Sequence, residues 1–289
     1  MEYPLLFIIG LMVGSFVNVV SLRYQPGGKL FGKKIIGVKK DDRSHCLKCG
    51  KTLNWYELIP VLSFLIQYGK CRHCGHRLSF QYPLVEILSG IIFTAVPFNV
   101  FKNFQLFSQL SDYKLLISAI WIVIFLLLLL LSIIDFRHFI IPDQINLSLA
   151  ILGILLIGVN LIGSQQFFIG HYALLFGLIG NVWLNHLFAA LIGMVFFGLI
   201  IVLSKGRAMG WGDFKLIGPL GLIFGWPDVL IIIALSFIVG SIIGISLVIK
   251  KKKTIKEAVP FGPFLVAGSA LVFFFGYQIV NGYFKIFGL

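Results

Sequence analysis

The sequence predicts an all-α polytopic membrane protein with about eight transmembrane helices and one long polar loop. Hydrophobic residues make up 58% of the 289-residue chain and charged residues only 12%, whereas soluble domains carry about 25% charged residues. Uncharged runs of about 20 residues recur along the chain, and a helix of that length can cross a hydrocarbon core about 30 Å thick. The composition therefore excludes an ordinary soluble domain.

The predicted spans follow from these runs in chain order. The clear runs are 4–22, 82–101, 115–134, 229–249 and 259–284, and the second of them is uncharged apart from Glu86. The first run lacks a basic start and a small-residue cleavage site, so we expect a retained span and not a signal peptide. Region 144–204 has no charged residue apart from two histidines and is long enough for two passes. Segment 214–226 is shorter and contains Gly218, Pro219 and Gly221; counting it gives eight passes.

Lysine and arginine are distributed unevenly between the loops, which predicts the orientation. With eight passes, one side of the membrane holds 21 of the 24 Lys and Arg residues, in loops 23–81, 135–143, 205–213 and 250–258 together with Lys215. Because Lys and Arg favour the cytoplasmic side, these loops are predicted to be cytoplasmic. The net charge of +13 then faces anionic membrane lipid, and we expect no nucleic-acid partner.

All four cysteines lie in the long loop, in the sequences CLKCGK and CRHCGH. Cys46 and Cys49 form the first Cys-x-x-Cys pair, and Cys71 and Cys74 form the second. The two pairs can share one metal ion, and four thiolates suit a tetrahedral, structural Zn²⁺ site. We expect the loop to need this metal to fold. The alternatives are a redox Cys-x-x-Cys pair or two disulfides, and a reducing cytoplasm disfavours the disulfides. Three nearby histidines leave a mixed site open: His45, His73 and His76.

Two aspartates are predicted to meet at the cytoplasmic mouth of the bundle. Asp135 ends the run 115–134 in SIIDFRHFIIPDQIN, and Asp213 begins the run 214–226 in AMGWGDFK. Two carboxylates held close titrate as a pair, because one of them keeps its proton. The ionised one can take a proton from a water that attacks a peptide carbonyl, and the protonated one can polarise that carbonyl. This is the chemistry of an aspartic protease.

The glycines before Asp213 fit such a site. Gly210 and Gly212 permit close backbone approach and unusual dihedrals, so that a substrate strand could lie against them. The simpler interpretation of Asp213 and Asp143 is helix N-capping, and that of Asp135 is a salt bridge to a nearby arginine. Capping leaves the Gly-Trp-Gly sequence unexplained, and a carboxylate is unfavourable at a helix C-terminus, where Asp135 lies. Neither His-Glu-x-x-His nor Gly-x-Ser-x-Gly occurs in the chain, so the motifs of other proteases are absent.

With these features together, the chain resembles the type IV prepilin peptidases, the bacterial leader peptidase/N-methyltransferase family. The resemblance runs from end to end of the chain. Its motifs, in the family's order, are GSFVNVVSLR at 14–23, the paired Cys-x-x-Cys-Gly loop, YPLVE at 82–86, IDFRHFIIPD at 134–143 and GWGDFK at 210–215. The last motif is similar to the Gly-x-Gly-Asp motif of membrane aspartyl proteases.

The resemblance implies a bifunctional enzyme of the bacterial inner membrane. Such an enzyme cuts the short basic leader from prepilins or pseudopilins at the cytoplasmic face and then methylates the new N-terminal amine with S-adenosylmethionine. By motif matching, the catalytic pair is Asp135 and Asp213, with Asp143 in reserve. No Gly-x-Gly-x-x-Gly motif is present, so the methyl donor is implied by the resemblance alone and no residue is assigned to it. A peptidase without the second activity is the nearest alternative.

Glu86 lies within the cytoplasmic end of a predicted span, where an unpaired carboxylate is costly. It either contacts the substrate or pairs with a basic residue such as Lys215. The chain is expected to divide into a first transmembrane helix (1–22), a cytoplasmic basic loop with a four-cysteine zinc site (23–81) and a transmembrane aspartyl protease bundle (82–289).

Two functions from other classes compete with the enzyme. A transporter could use paired carboxylates to relay protons or cations, but such residues are expected near the middle of the membrane and not at one surface. A scaffold protein could use the Cys loop to bind partners, which would leave the Gly-Trp-Gly-Asp sequence without a role.

Overall fold

The structure is a computed structural model that describes residues 3–28, 30, 44–103, 111–162, 181–250 and 259–286. Over this part of the chain the regular structure is helical, apart from two isolated β-bridges in the Cys loop. A short 3-10 helix covers Trp55–Glu57. The α-helices are α1 (Tyr3–Arg23), α2 (Leu62–Ile66), α3 (Gln81–Asn103), α4 (Ser111–His138), α5 (Asp143–Ile162), α6 (Val182–Leu203), α7 (Trp211–Phe224), α8 (Asp228–Ile249) and α9 (Gly262–Ile286).

The predicted all-α membrane fold is confirmed. Six of the described helices, α1, α3, α4, α6, α8 and α9, are long and apolar enough to cross a membrane. The sequence predicts eight passes; the described residues add two further apolar helices, α5 and α7, to these six, and the described parts of region 144–204 form α5 and α6. Helix α7 has 14 residues, which corresponds to about 21 Å of rise, so it is short, as the sequence predicts. Residues 31–43 of the Cys loop and 251–258 of the last basic loop lie outside the described residues.

The described residues group into two compact units, with the division between Leu130 and Leu131, inside α4. In the first unit, α1 packs along α3 through small residues. A Cβ atom on Gly10 would lie 2.7 Å from the Cα of Gly90, and one on Gly14 would lie 2.7 Å from the Cα of Glu86. Such close backbone approach is typical of helix pairs in membranes, where packing and not the hydrophobic effect holds helices together.

In the second unit, α7 packs against both α5 and α6. A Cβ atom on Gly221 would lie 2.5 Å from the backbone of Ala190 in α6, and Gly153 of α5 lies against Leu222. The buried residues of α7 are Asp213, Leu216, Ile217, Gly218, Leu220, Gly221, Ile223 and Phe224. Neighbouring helices therefore enclose this short helix, which explains how a segment containing Pro219 is accommodated.

The turn after α7 is fixed by a side chain from α6. Gly225 ends α7 with a φ of 75°, a conformation that favours glycine. Asn185 bonds to the next residue twice: its Nδ2 donates to the Trp226 carbonyl at 3.1 Å, and its Oδ1 accepts from the Trp226 N–H at 2.8 Å. These bonds fix the end of α7 against α6. Because α7 is a continuous helix, they also fix the position of Asp213 near its beginning.

Candidate active site and metal centre

Asp135 and Asp213 line one cleft in the second unit, with a volume of about 540 Å³. Asp135 lies near the end of α4 and Asp213 lies in the first turn of α7, and their exposed fractions are only 4% and 8%. Most of the other lining residues are apolar, among them Phe139, Ile140, Ile141, Met209, Trp211, Val259, Pro260 and Phe261. The cleft therefore combines two buried carboxylates with an apolar wall.

The carboxylate of Asp135 is held by the start of α9. Its Oδ2 accepts a hydrogen bond of 3.1 Å from the backbone N–H of Gly262, the first residue of that helix. The first N–H groups of a helix have no partner within the helix, and the helix dipole adds positive charge there. This end of α9 therefore favours the ionised form of Asp135.

Asp213 is the third residue of α7, and the N-cap position belongs to Gly210. The interpretation of Asp213 as an N-cap is therefore wrong. Its carboxylate interacts instead with the backbone N–H of Gly210, as the third residue does in a capping box.

Neither glycine before Asp213 has unusual dihedrals, which corrects that part of the prediction, and of the two only Gly212 makes a close approach. Gly210 has extended backbone angles, φ −86° and ψ 154°, which any residue can adopt. Gly212 is helical, and a Cβ atom there would lie 3.3 Å from the Cβ of Ile141. Its missing side chain therefore lets the start of α7 approach the segment between α4 and α5, which brings Asp213 towards Asp135.

The two carboxylates are close enough for the charge of Asp135 to act on Asp213. Two like charges in a site of low polarity cannot both form cheaply, so such a pair binds one proton between its members. The arrangement can then supply one acid and one base to a substrate in the cleft. Neither carboxylate lies near the middle of a helix, where a relay across the membrane would need acidic groups.

Asp143 and Lys215 form an ion pair at the rim of the same cleft. The Lys215 Nζ lies 2.8 Å from the Asp143 Oδ1, and the two side chains are 53% and 73% exposed. The partner of Lys215 is thus Asp143, where the sequence had suggested Glu86. An exposed pair of this kind contributes about 0–1 kcal/mol to stability. Asp143 is therefore an exposed, paired carboxylate, unlike the two buried carboxylates of the cleft.

The four cysteines of the first unit converge on one point. Their sulfur atoms all lie within 4.8 Å of one another, and the Cys46 and Cys74 sulfurs are 3.9 Å apart. Ligands at about 2.3 Å around a tetrahedral Zn²⁺ ion are about 3.8 Å apart, so the donor set fits this metal. The cluster formed by the described residues consists of the four thiols without a histidine.

Each Cys-x-x-Cys pair forms a knuckle of the same design. In the first, residues 44–52, the Gly50 N–H donates to the Cys46 carbonyl at 2.9 Å, and in the second, residues 69–77, the Gly75 N–H donates to the Cys71 carbonyl at 2.9 Å. Both glycines have positive φ angles, 70° and 65°. The backbone N–H groups in the first knuckle, of Cys49 and then Lys48, lower the pKa of the Cys46 thiol to about 6, which favours the thiolate that binds metal.

Glu86 is buried in α3 and holds a residue of the Cys loop. Its Oε2 accepts a hydrogen bond of 2.7 Å from the Val61 N–H, and the Ser15 side chain of α1 also bonds to it. Val61 has a φ of 59°, which is strained for a β-branched residue. The partner of Glu86 is thus a backbone group, so this carboxylate joins the loop to two transmembrane helices.

Replacing Glu86 by alanine is expected to loosen the Cys loop around Val61. The variant leaves the Val61 N–H without its acceptor, which costs about 1–3 kcal/mol for a buried donor, and it removes the contact that holds the strained backbone. Hydrogen–deuterium exchange of residues 58–66 should therefore become faster than in the wild type. Glu86→Gln keeps an acceptor oxygen and is the matched control. Equal exchange in the alanine variant and the wild type would contradict this role.

Sequence reasoning missed Gly262, although its surroundings carry a signal. The sequence VPFGPF at 259–264 places prolines on both sides of a glycine, and proline is common in the first turn of a helix. The sequence could have shown where α9 begins. It could not have shown that this beginning faces Asp135, because the two residues are 127 positions apart.

Comparison with known proteins agrees with these features along the whole chain. The model of the bacterial peptidase A24 N-terminal domain matches residues 8–100, and that of the type IV leader peptidase family matches residues 122–245. Several relatives carry the name prepilin leader peptidase/N-methyltransferase. The one from Xanthomonas campestris is 32% identical, with 99% of this chain and 96% of the relative covered. The relative from Bacillus subtilis is 28% identical, with 98% of this chain and 98% of the relative covered. The relative from Pseudomonas aeruginosa is also 28% identical, with 99% of this chain and 97% of the relative covered.

No solved structure matches the chain, so the family rests on sequence. The Xanthomonas relative is similar over nearly its whole length, and the two family models together cover the Cys loop, α1 and α3, and the segments that carry both buried aspartates. A multi-pass helical bundle with two carboxylates in one cleft is consistent with this similarity. The chain therefore belongs to the type IV leader peptidase family.

Proposed function

We propose that this protein is an aspartyl endopeptidase of the bacterial inner membrane. In our proposal it removes the basic leader from type IV prepilins or pseudopilins and then methylates the new N-terminal residue. The observation that carries the proposal is the meeting of two buried carboxylates, Asp135 and Asp213, in one cleft. The names of the relatives supply the substrate class and the second activity.

The two carboxylates divide the work of hydrolysis. The ionised member takes a proton from a water molecule, which attacks the carbonyl carbon of the scissile peptide. The protonated member donates its proton to the carbonyl oxygen. When the C–N bond breaks, the departing amine receives the proton that was taken from water, and a hydroxyl of the tetrahedral intermediate returns a proton to the carboxylate that donated one. Each carboxylate meets one backbone N–H at the start of a helix, Asp135 that of Gly262 and Asp213 that of Gly210, so the acid and base roles belong to the pair as a unit.

The cleft also suits the substrate. A prepilin presents an apolar helix of about membrane length after a short basic leader, so its cleavage site lies at the membrane boundary. Both aspartates lie at helix ends, and the distribution of Lys and Arg supports a cytoplasmic position for these ends. The apolar lining residues, including Phe139 and Phe261, can accept the first residues of the pilin helix.

The four-cysteine cluster is proposed to hold one structural zinc ion through Cys46, Cys49, Cys71 and Cys74. The metal would join the two knuckles and offset two of the four negative charges of the thiolates, with no part in the hydrolysis. We also propose the division of the chain into a first transmembrane helix (1–22), the cytoplasmic Cys loop (23–81) and the protease bundle (82–289). S-adenosylmethionine is the methyl donor that the second activity implies, and no described residue is assigned to it.

The proposal is tested with the purified protein, a prepilin and S-adenosylmethionine. Mass spectrometry of the product should show first the loss of the leader and then the addition of one methyl group to the new N-terminus. A leader-free but unmethylated product would support the proposed peptidase activity and contradict the proposed methyltransferase activity. An uncut prepilin, together with proton flux into liposomes that either Asp substitution abolishes, would favour the transporter.

Replacing Gly262 by alanine is expected to slow leader cleavage by about 100-fold. The added Cβ atom would lie 2.6 Å from the Oδ2 of Asp135, so the carboxylate has to move, and a displacement of this order in a catalytic group costs about that factor. Gly282→Ala on the same helix is the control, because a Cβ atom there meets nothing within 4 Å. Equal rates in the two variants would show that the position of Asp135 does not limit cleavage.

A further inference from the structure

Between the two Cys knuckles lies an apolar segment, residues 55–68, that exposes large side chains. Trp55 is 77% exposed, and Leu62, Leu65, Ile66 and Tyr68 are each more than half exposed. The segment contains no lysine or arginine. In a soluble loop such a surface is unusual, and a contiguous exposed apolar patch marks a site of contact with a partner or a membrane.

The segment is attached to the membrane-spanning part of the first unit. Val61, in its middle, donates to Glu86 at 2.7 Å, and Glu86 is the sixth residue of α3, a candidate span that begins at Gln81. Five residues of helix correspond to about 7.5 Å of rise. The middle of the segment therefore lies beside the second turn of this candidate span.

The two knuckles on either side of this segment are basic. Residues 44–80 contain five exposed basic side chains and one acidic residue, Glu57. The basic side chains are Lys48, Lys51, Lys70, Arg72 and Arg77. Glu57 is used internally, since its Oε2 accepts a hydrogen bond of 2.8 Å from the Asn54 N–H. The guanidinium of Arg72 lies 5.2 Å from the ring centre of Tyr56, which joins the basic and apolar surfaces.

This combination matches the boundary of a membrane with anionic lipid. Trp and Tyr favour the level of the lipid head groups, apolar side chains enter the adjoining acyl region, and basic residues nearby attract anionic head groups. We propose that residues 55–68 are an interfacial membrane anchor, which inserts beside α3 into a leaflet containing anionic lipid and lays the Cys knuckles on the membrane surface. This inference concerns placement and does not depend on the reaction that the protein catalyses.

The anchor is tested by photo-crosslinking of the full chain in lipid nanodiscs. Benzoylphenylalanine replaces Leu65 in the apolar segment or, as the matched control, the exposed His73 at the tip of the second knuckle. In phosphatidylglycerol nanodiscs, the yield of lipid adducts at position 65 should exceed that at position 73 by at least about fivefold. In phosphatidylcholine nanodiscs, the yield at position 65 should fall at least about twofold. Unchanged zinc content and protection of residues 44–80 from hydrogen exchange verify that each variant is folded.

Three outcomes would overturn the anchor. Equal adduct yields at the two positions, or none at either, would mean that the segment does not enter the bilayer. An adduct at position 65 that passes from lipid to an added prepilin would make the segment a docking surface for that protein. An equal yield at position 65 in both lipids would contradict the proposal that the anchor needs a leaflet containing anionic lipid.

Discussion

Replacing Asp213 by asparagine is expected to reduce the rate of leader cleavage by about 10²–10⁴-fold, the usual contribution of general acid–base catalysis. The amide has nearly the same shape but cannot donate a carboxylic proton. Asp135→Asn removes the other carboxylate of the pair and should have an effect of similar size. Because the two carboxylates act as a unit, the double variant should be only slightly slower than either single one. Single-turnover cleavage of a prepilin measures these rates, and intact helical content verifies insertion and folding.

Asp143→Asn is the matched control for this prediction. Asp143 lines the same cleft, but it is exposed and paired with Lys215, so its replacement should change cleavage by less than about tenfold, given the small energy of an exposed ion pair. If Asp143→Asn abolished cleavage while Asp135→Asn remained active, Asp143 would replace Asp135 in the catalytic pair. If both Asp135→Asn and Asp213→Asn cleaved at the wild-type rate, the proposed peptidase site would be wrong.

Replacing any one of the four cysteines by serine is expected to remove the zinc and unfold the Cys loop. Within residues 44–80, Cys46 and Cys71 are the buried residues, so the segment has almost no hydrophobic core of its own and its folding energy has to come from the metal. Zinc content should fall from about one ion per chain to about none. Elemental analysis measures this loss, and hydrogen–deuterium exchange should show residues 44–80 exchanging fast while the transmembrane helices stay protected.

Histidine variants control for unspecific damage to the loop. His45→Ala and His73→Ala lie next to the cysteines in sequence, but the cluster of metal-binding atoms in the described residues consists of the thiols alone. Both variants should therefore keep about one zinc ion per chain. Loss of zinc in His73→Ala would indicate a mixed site, and retention of zinc in all four serine variants would exclude a site built from the four thiolates.

The positions of the apolar helices could be predicted from the sequence because charge has to leave the hydrocarbon region, but their ends are set by hydrogen bonds. Apolar runs located each of the six candidate spans in the described residues. Helix α4, however, continues past the predicted end at 134 to His138, and α7 begins at Trp211 and not at 214. Asp135 and Asp213 are accommodated inside these helices because backbone N–H groups and neighbouring side chains surround them.

The sequence could predict those residues of the candidate site that act through their side chains, but not those that act through a backbone group. Asp135, Asp213 and the four cysteines are scarce residue types at informative positions, so the sequence pointed to them directly. Gly262 contributes only an N–H, and Val61 likewise contributes only an N–H to Glu86. Every residue except proline has such a group, so its use as a donor appears only when the three-dimensional arrangement is known.

The size of the cleft determines what substrate binding has to accomplish. Liquid water occupies about 30 Å³ per molecule, so a volume of about 540 Å³ has space for many water molecules. Hydrolysis consumes one. A docked peptide must therefore expel most of this hydration and retain a single nucleophile, and expulsion strengthens the electrostatic interactions that remain. Peptides too small to fill the cleft are consequently expected to be poor substrates even when they contain the scissile bond.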